Sequence, residues 1–214
     1  MHILLKYLVF PWLAMAMALS ADSQVTISGP TCVVAGTVYQ YTITGKWDSL
    51  STMQVCLSSG AIADSAWTSN CTVTSAPLAA VLVIWNDSAS NTGTISLTSS
   101  IGNATLTVNF AEPLIPGSID STSQTQLVAT DSIPLQINCS LDTGGSCSPA
   151  YYYQWQQSPD MGSWTDMPGA NAQNLSFGSP IAQTYFFRRK VTETVSGTIG
   201  YSNAAVVIPN NSNH

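Results

Sequence analysis

From Gln24 onward, apolar side chains recur at alternate positions, the period of a β-strand. Tyr39, Tyr41 and Ile43 alternate with Gln40 and Thr42, and Met53, Val55 and Leu57 follow the same rule. So do Leu106, Val108 and Phe110 against Thr107 and Asn109. The clearest run is Ile133-Pro134-Leu135-Gln136-Ile137-Asn138-Cys139-Ser140-Leu141, apolar at every odd position, which predicts a strand with one face in a core. Turn clusters separate the runs: Ser28-Gly29-Pro30, Asn91-Thr92-Gly93, Gly102-Asn103, Asp142-Thr143-Gly144-Gly145 and Met167-Pro168-Gly169. Each supplies a left-handed or fixed backbone angle that interrupts a strand. No window beyond the amino end carries a 3.6-residue stripe. Many short strands at this spacing predict an all-β chain of sandwiches.

A boundary is expected at Ala111–Gly117, where Pro113, Pro116 and Gly117 follow a closing strand. It divides the chain into residues 24–112 and 113–209, with a polar tail at 210–214. Residues 1–21 read as a secretory signal peptide. Lys6 precedes an apolar run from Tyr7 to Leu19, and small residues then alternate at Ala16, Ala18 and Ser20, as signal peptidase requires. That run is shorter than the ~20 residues that cross a bilayer, and Pro11 interrupts it. An integral membrane protein is therefore not expected.

Composition narrows the function. Of 214 residues only 7% are charged and 45% are hydrophobic. Disorder through charge is excluded, because disordered chains are poor in apolar residues. A net charge of −6 removes the electrostatic basis for nucleic-acid binding. The two histidines are His2 and His214, at the extreme ends. A serine nucleophile needs a base within hydrogen-bond reach, so a Ser-His-Asp triad is excluded. No cofactor and no zinc site are expected from the spacings, and no calcium-loop run of acidic residues is present, while calcium held by dispersed carboxylates stays open.

Export places cysteines where they pair, and five of them (Cys32, Cys56, Cys71, Cys139, Cys147) leave at least one over. Alternation points Cys139 inward with Ile137, and Asp142-Thr143-Gly144-Gly145 can reverse the chain, so a Cys139–Cys147 disulfide is expected. Cys56 is out of phase with Val55 and Leu57 and faces away from them. Cys71 is its expected partner, which leaves Cys32 unpaired. Cys32–Cys71 is geometrically open as well.

The second half carries a more specific pattern. Tyr151-Tyr152-Tyr153-Gln154-Trp155-Gln156 follows Cys139, then come Trp164-Thr165-Asp166-Met167-Pro168-Gly169-Ala170, Thr184-Tyr185-Phe186-Phe187-Arg188-Arg189-Lys190-Val191 and Gly200-Tyr201-Ser202-Asn203. This resembles the immunoglobulin-like modules of bacterial secreted and surface proteins. The resemblance implies that Trp155 is the core tryptophan of strand C, and that Tyr185 stands two residues before the second core position, Phe187, on strand F. Phe187 stands where antibody domains have cysteine, so their inter-sheet disulfide cannot form. The first half is similar to a PKD-like module through Ile27-Ser28-Gly29-Pro30, Gly36, Tyr39-Gln40-Tyr41-Thr42, Ser58–Ile62 and Val81–Trp85. Together these imply two tandem immunoglobulin-like antiparallel β-sandwiches. In exported bacterial proteins such a pair often sits at the amino end of a larger polypeptide, for instance ahead of RHS-type repeats.

Candidate chemistry is sparse. Asp160 and Asp166 flank Trp164; a glycosidase pair is one reading, and turn capping beside a structural Trp is the stronger one. Arg188 and Lys190 share one strand face and Arg189 the other with Phe187 and Val191; an anion site is one reading, and a solvated strand face is the stronger one. Trp47, Trp67 and Trp164 are candidate platforms for sugar stacking. Ser49, Ser65, Ser88, Ser121 and Ser132 each follow Asp and precede Leu, Ala, Thr or Ile. Those triplets resemble the periplasmic O-glycosylation site of one group of Gram-negative bacteria, although Asp-Ser is also a common turn pair. The expected function is an exported, non-enzymatic surface adhesion or spacer module, found in the periplasm, at the cell surface or secreted. The alternative is a carbohydrate-binding module. The partner is accordingly a surface protein or a glycan.

Overall fold

The computed structural model describes residues 25–47, 51–62, 69–75, 78–86 and 91–210. The segment read as a signal peptide, residues 1–21, and residues 211–214 of the expected tail lie outside them. The first half contains β1 (Val25–Ser28), β2 (Cys32–Val33), β3 (Val38–Gly45), β4 (Met53–Leu57), β5 (Ala61–Ile62), β6 (Cys71–Thr74), β7 (Ala80–Ile84), β8 (Thr92–Ser99) and β9 (Gly102–Phe110). They form two sheets, in the orders β1-β3-β7-β5 and β2-β9-β8-β4-β6. The first run of chain therefore serves both layers. β1 pairs antiparallel with β3, and beyond the Ser28-Gly29-Pro30 break β2 pairs parallel with β9. Pro30 has no N–H to give to a ladder, so the strand breaks there and changes sheet.

Alternation between the layers fills this core. Val55 and Leu57 of β4, Ile95 and Leu97 of β8 and Val81 and Val83 of β7 are all buried. At its centre the Trp85 indole N–H donates to the Tyr41 hydroxyl at 2.9 Å. The Tyr41 and Phe110 rings meet Trp85 edge-on, with centroids 6.2 and 6.1 Å away. Such T-shaped contacts match ring edge to ring face. Gly93 is the position that admits Trp85, because a β-carbon there would come within 2.5 Å of the indole.

The second half contains β10 (Thr125–Ala129), β11 (Tyr151–Ser158), β12 (Thr165–Asp166), β13 (Tyr185–Glu193), β14 (Ile199–Tyr201) and β15 (Ala205–Asn210). One sheet runs β10-β15-β13-β11-β12, with β14 also paired to β13. Its facing layer is built from single bridges, Ile115 to Thr143, Ile119 to Cys139 and Ile137 to Leu175. Between the layers lie Trp155, Phe187, Ile119, Ile137, Cys139, Leu175 and Val207. The chain is thus all-β, two immunoglobulin-like sandwiches in tandem. Among the described residues no helix is long and apolar enough to cross a membrane.

The Ile133–Leu141 expectation needs correction. Ile137 and Cys139 are buried, but Ile133, Leu135 and Leu141 are exposed and the segment is no regular strand. Pro134 cannot donate, and the Gln126 side-chain amide takes both backbone groups of Leu135, accepting from its N–H at 2.9 Å and donating to its C=O at 3.0 Å. A side chain stands in for a neighbouring strand, so the alternation has no ladder to follow.

The disulfide expectation also changes. Cys147 is joined to Cys32, not to Cys139. Cys139 does face inward as expected, but it lies in the core as a free thiol. The turn after it carries Cys147 away from that core to the other sandwich. Cys56 is joined to Cys71, directly opposite it across β4 and β6.

Candidate functional site

The junction between the sandwiches is held at several points. The Cys32–Cys147 bond spans a Cα separation of 5.7 Å between residues 115 apart in sequence. The Cys147 N–H points at Cys32 Sγ from 3.1 Å. The Gly145 N–H donates to the Glu112 carbonyl at 2.7 Å. The turn that delivers Cys147 needs glycine. Gly144 has φ +74°, and a β-carbon on it would come within 1.9 Å of the Pro113 carbonyl oxygen.

Glu193, at the end of β13, fixes the same turn from below. Its side chain is fully buried and accepts from the backbone N–H groups of Ala150, Val195 and Ser196 at 3.1, 3.1 and 2.7 Å. The Ser196 side chain and these N–H groups outweigh the cost of burial and hold the Glu193 carboxyl down at about 2. Beside this turn a groove of about 670 Å³ opens between the sandwiches, lined by Cys32, Val34, Phe110, Glu112, Leu114 and Val195 among others.

A second constellation lies on the outer face of the β11–β13–β14 sheet. The Arg188 guanidinium sits 4.1 Å from the Trp164 ring centroid and 4.1 Å from that of Tyr201. Its Nε–H donates to Gln156 Oε1 at 2.8 Å, and Gln156 Nε2 donates to Asp166 Oδ1 at 2.7 Å. Burial lowers the Arg188 pKa against the pull of Tyr201.

Inside the same sandwich, Arg189 is completely buried and paired with Asp142. Tyr153 lies beneath the Arg189 guanidinium, 4.5 Å from it. Burial first, and the neighbouring Asp142 carboxylate second, push the Tyr153 hydroxyl up to about 12. Burial likewise raises the Cys139 thiol, with Arg189 pulling the other way.

The residues singled out from sequence fall as follows. Trp155 and Phe187 are buried, and Tyr185 is half-buried with its ring centroid 6.3 Å from that of Phe187. The Trp155 indole donates to the Ala172 carbonyl at 3.0 Å. Trp47 packs against the first core, and Trp164 has one face covered by Arg188. Asp160 caps its turn, accepting from the N–H groups of Gly162 and Ser163 at 2.9 and 3.0 Å. Those bonds, Ser163 first, lower the Asp160 pKa. Ser121 and Ser132 are exposed. Trp67, Ser49, Ser65 and Ser88 lie outside the described residues. Among the described residues no group of three or more His, Cys, Asp or Glu is placed to hold a metal ion.

Sequence reasoning missed the Cys32–Cys147 bond and the Arg188 stack. The first had no local signal, since its partners belong to different sandwiches. The second had one in part: Arg188 and Lys190 fall on one strand face, although Trp164 and Tyr201 come from the segments on either side.

Residues 118–211 match a family described as a domain of unknown function, DUF8696. No curated protein sequence matches the chain. Among solved structures the chain is similar to the tandem Ig repeats of Dlar, at 11% identity over 88% of this chain and 98% of that one, with a TM-score of 0.30. It is similar to the IG1+IG2 pair of DIP-gamma at 8% identity, over 87% and 98% of the two chains, with a TM-score of 0.41. Sidekick-1 immunoglobulin domains 1–5 follow at 12% identity, over 90% of this chain and 40% of that one, with a TM-score of 0.41.

Proposed function

We propose that this chain is an exported, non-enzymatic surface module, a spacer with an adhesion face, divided into domains at residues 112 and 113. The observation that carries the reading is the Cys32–Cys147 disulfide across the domain junction. Two domains joined by one linker move relative to each other by default. A second covalent link, placed beside the Gly145–Glu112 hydrogen bond, removes that freedom and holds the pair at a fixed angle. A spacer needs that property, and an enzyme cleft that closes on substrate does not. Both disulfides fit an oxidising compartment. Stacking of sugars is the weaker reading, because Trp47 is engaged with the core and Trp164 with Arg188.

Small-angle X-ray scattering tests it. The oxidised chain is expected to scatter as one rigid two-domain particle, and a Cys32→Ser/Cys147→Ser double variant as a broader, flexible ensemble. Identical profiles overturn the rigid-spacer reading. Hydrolysis of glycosides, esters or peptides, abolished by one point substitution, overturns the non-enzymatic one.

A further inference from the structure

We propose that the outer face of the second sandwich is a docking surface for an acidic protein segment, with the Arg188 guanidinium as its carboxylate anchor; this rests on the adhesion half of the reading above.

The face is set by register. Gln156 stands opposite Arg188, Gln154 opposite Lys190, and Tyr152 opposite Thr192 on β11 and β13. Lys190 in turn stands opposite Tyr201, and Thr192 opposite Ile199, on β14. All these side chains therefore share one side of the sheet. Tyr152 is 50% exposed, Ile199 50% and Tyr201 44%. Exposed Tyr with Trp and Arg is the composition found at the energetic centres of protein interfaces.

Arg188 is held ready to bind. Rings cover both of its faces, and Gln156 fixes Nε, so the side chain has lost its freedom before any partner arrives. Its two terminal nitrogens have no hydrogen-bond partner among the described residues. That leaves the edge of the guanidinium fork that matches a carboxylate with two parallel bonds. The nearest acid on this face, Asp166, is engaged by Gln156.

Charge complementarity selects the partner. The chain carries −6 overall and has only five basic residues, yet Arg188 and Lys190 stand two positions apart on this one face. An acidic segment is attracted here and repelled by most of the remaining surface. The apolar rim of Tyr152 and Ile199 suits a peptide with hydrophobic residues beside its carboxylates.

The probe is poly-L-glutamate added to the purified, oxidised chain. The sequence holds two arginines, Arg188 and Arg189, so the arginine Nε–H region of a ¹⁵N NMR spectrum contains two signals. The signal lost in Arg188→Lys identifies Arg188. Poly-L-glutamate is expected to shift the Arg188 signal and leave that of buried Arg189 in place. Arg188→Lys, which keeps the charge but loses the fork, is expected to weaken binding at least tenfold, whereas Lys46→Ala in the first sandwich changes it less than twofold. The wild-type NMR shift decides the question even if Arg188→Lys folds poorly. No shift of Arg188, equal binding by Arg188→Lys, or binding of polygalacturonate in place of poly-L-glutamate overturns the proposal. Any of these leaves the scattering test of the rigid spacer untouched, so the two readings fail separately.

Discussion

Arg189 Nη2 donates to Asp142 Oδ1 at 2.7 Å, and neither side chain reaches solvent. The pair joins the two layers of the second sandwich. Arg189 rises from the middle of β13, while Asp142 follows the bridged segment that contains Ile137 and Cys139. Arg189 also donates to the carbonyls of Gln173 and Ser140, each at 2.9 Å. One guanidinium thus satisfies backbone groups in a layer that has bridges where other sheets have full ladders. Removing one partner strands a buried charge, which costs about 3–5 kcal/mol. Asp142→Asn and Arg189→Met are each expected to lower stability by that amount in urea titrations, and the second sandwich is expected to unfold first.

The thiol chemistry follows from which cysteine is left over. Non-reducing peptide mapping is expected to recover Cys32 with Cys147 and Cys56 with Cys71. Cys139 is buried and its thiol is raised by burial, which withholds the reactive thiolate. A thiol reagent is therefore expected to find no reactive group in the native chain and one after denaturation. Rapid native labelling of Cys139 is the contrary result.

Acid sensitivity is expected to trace to Glu193. Its folded pKa of about 2 lies below the ordinary 4.5. A depressed carboxyl contributes stability that is fully present above pH 4.5 and is lost as pH falls toward 2. Thermal melts across that window are expected to decline in the wild type and to decline less steeply in Glu193→Gln, which starts from a lower midpoint at neutral pH.

Gly93 is expected to tolerate no side chain. Gly93→Ala places a methyl group 2.5 Å from the Trp85 ring, and overpacking of this kind costs about 1–3 kcal/mol. Tryptophan fluorescence is the readout, since Trp85 must shift to make room. An unchanged melting temperature and spectrum mean that β8 yields without cost.

What the sequence made legible was local. Strands β3, β4 and β9 follow the alternation of Tyr41 with Ile43, Val55 with Leu57 and Val108 with Phe110, because each has a ladder partner to keep its phase. Trp155 and Phe187 were legible through their resemblance to a known sandwich. The Ile133–Leu141 segment misled because alternation reports a half-buried extended chain only where neighbouring strands exist, and here Gln126 replaces one. Arg189 was placed on the same face as Phe187 and Val191, yet its charge masked how deeply that face is buried. Its distant partners, Asp142 and the carbonyls of Gln173 and Ser140, stabilise the buried charge, and no spacing in the sequence announces them.

The Cys32–Cys147 link also decides how the molecule responds to mechanical load. Tension applied between the first strand and the last would cross from Cys32 directly to Cys147, so the loop between them, most of the first sandwich included, lies off the load path. The 115-residue span corresponds to roughly 390 Å of contour length at ~3.4 Å per residue. While the bond is intact that length cannot be drawn out. Reduction would put the first sandwich back on the load path, so that its unfolding under force could release that length.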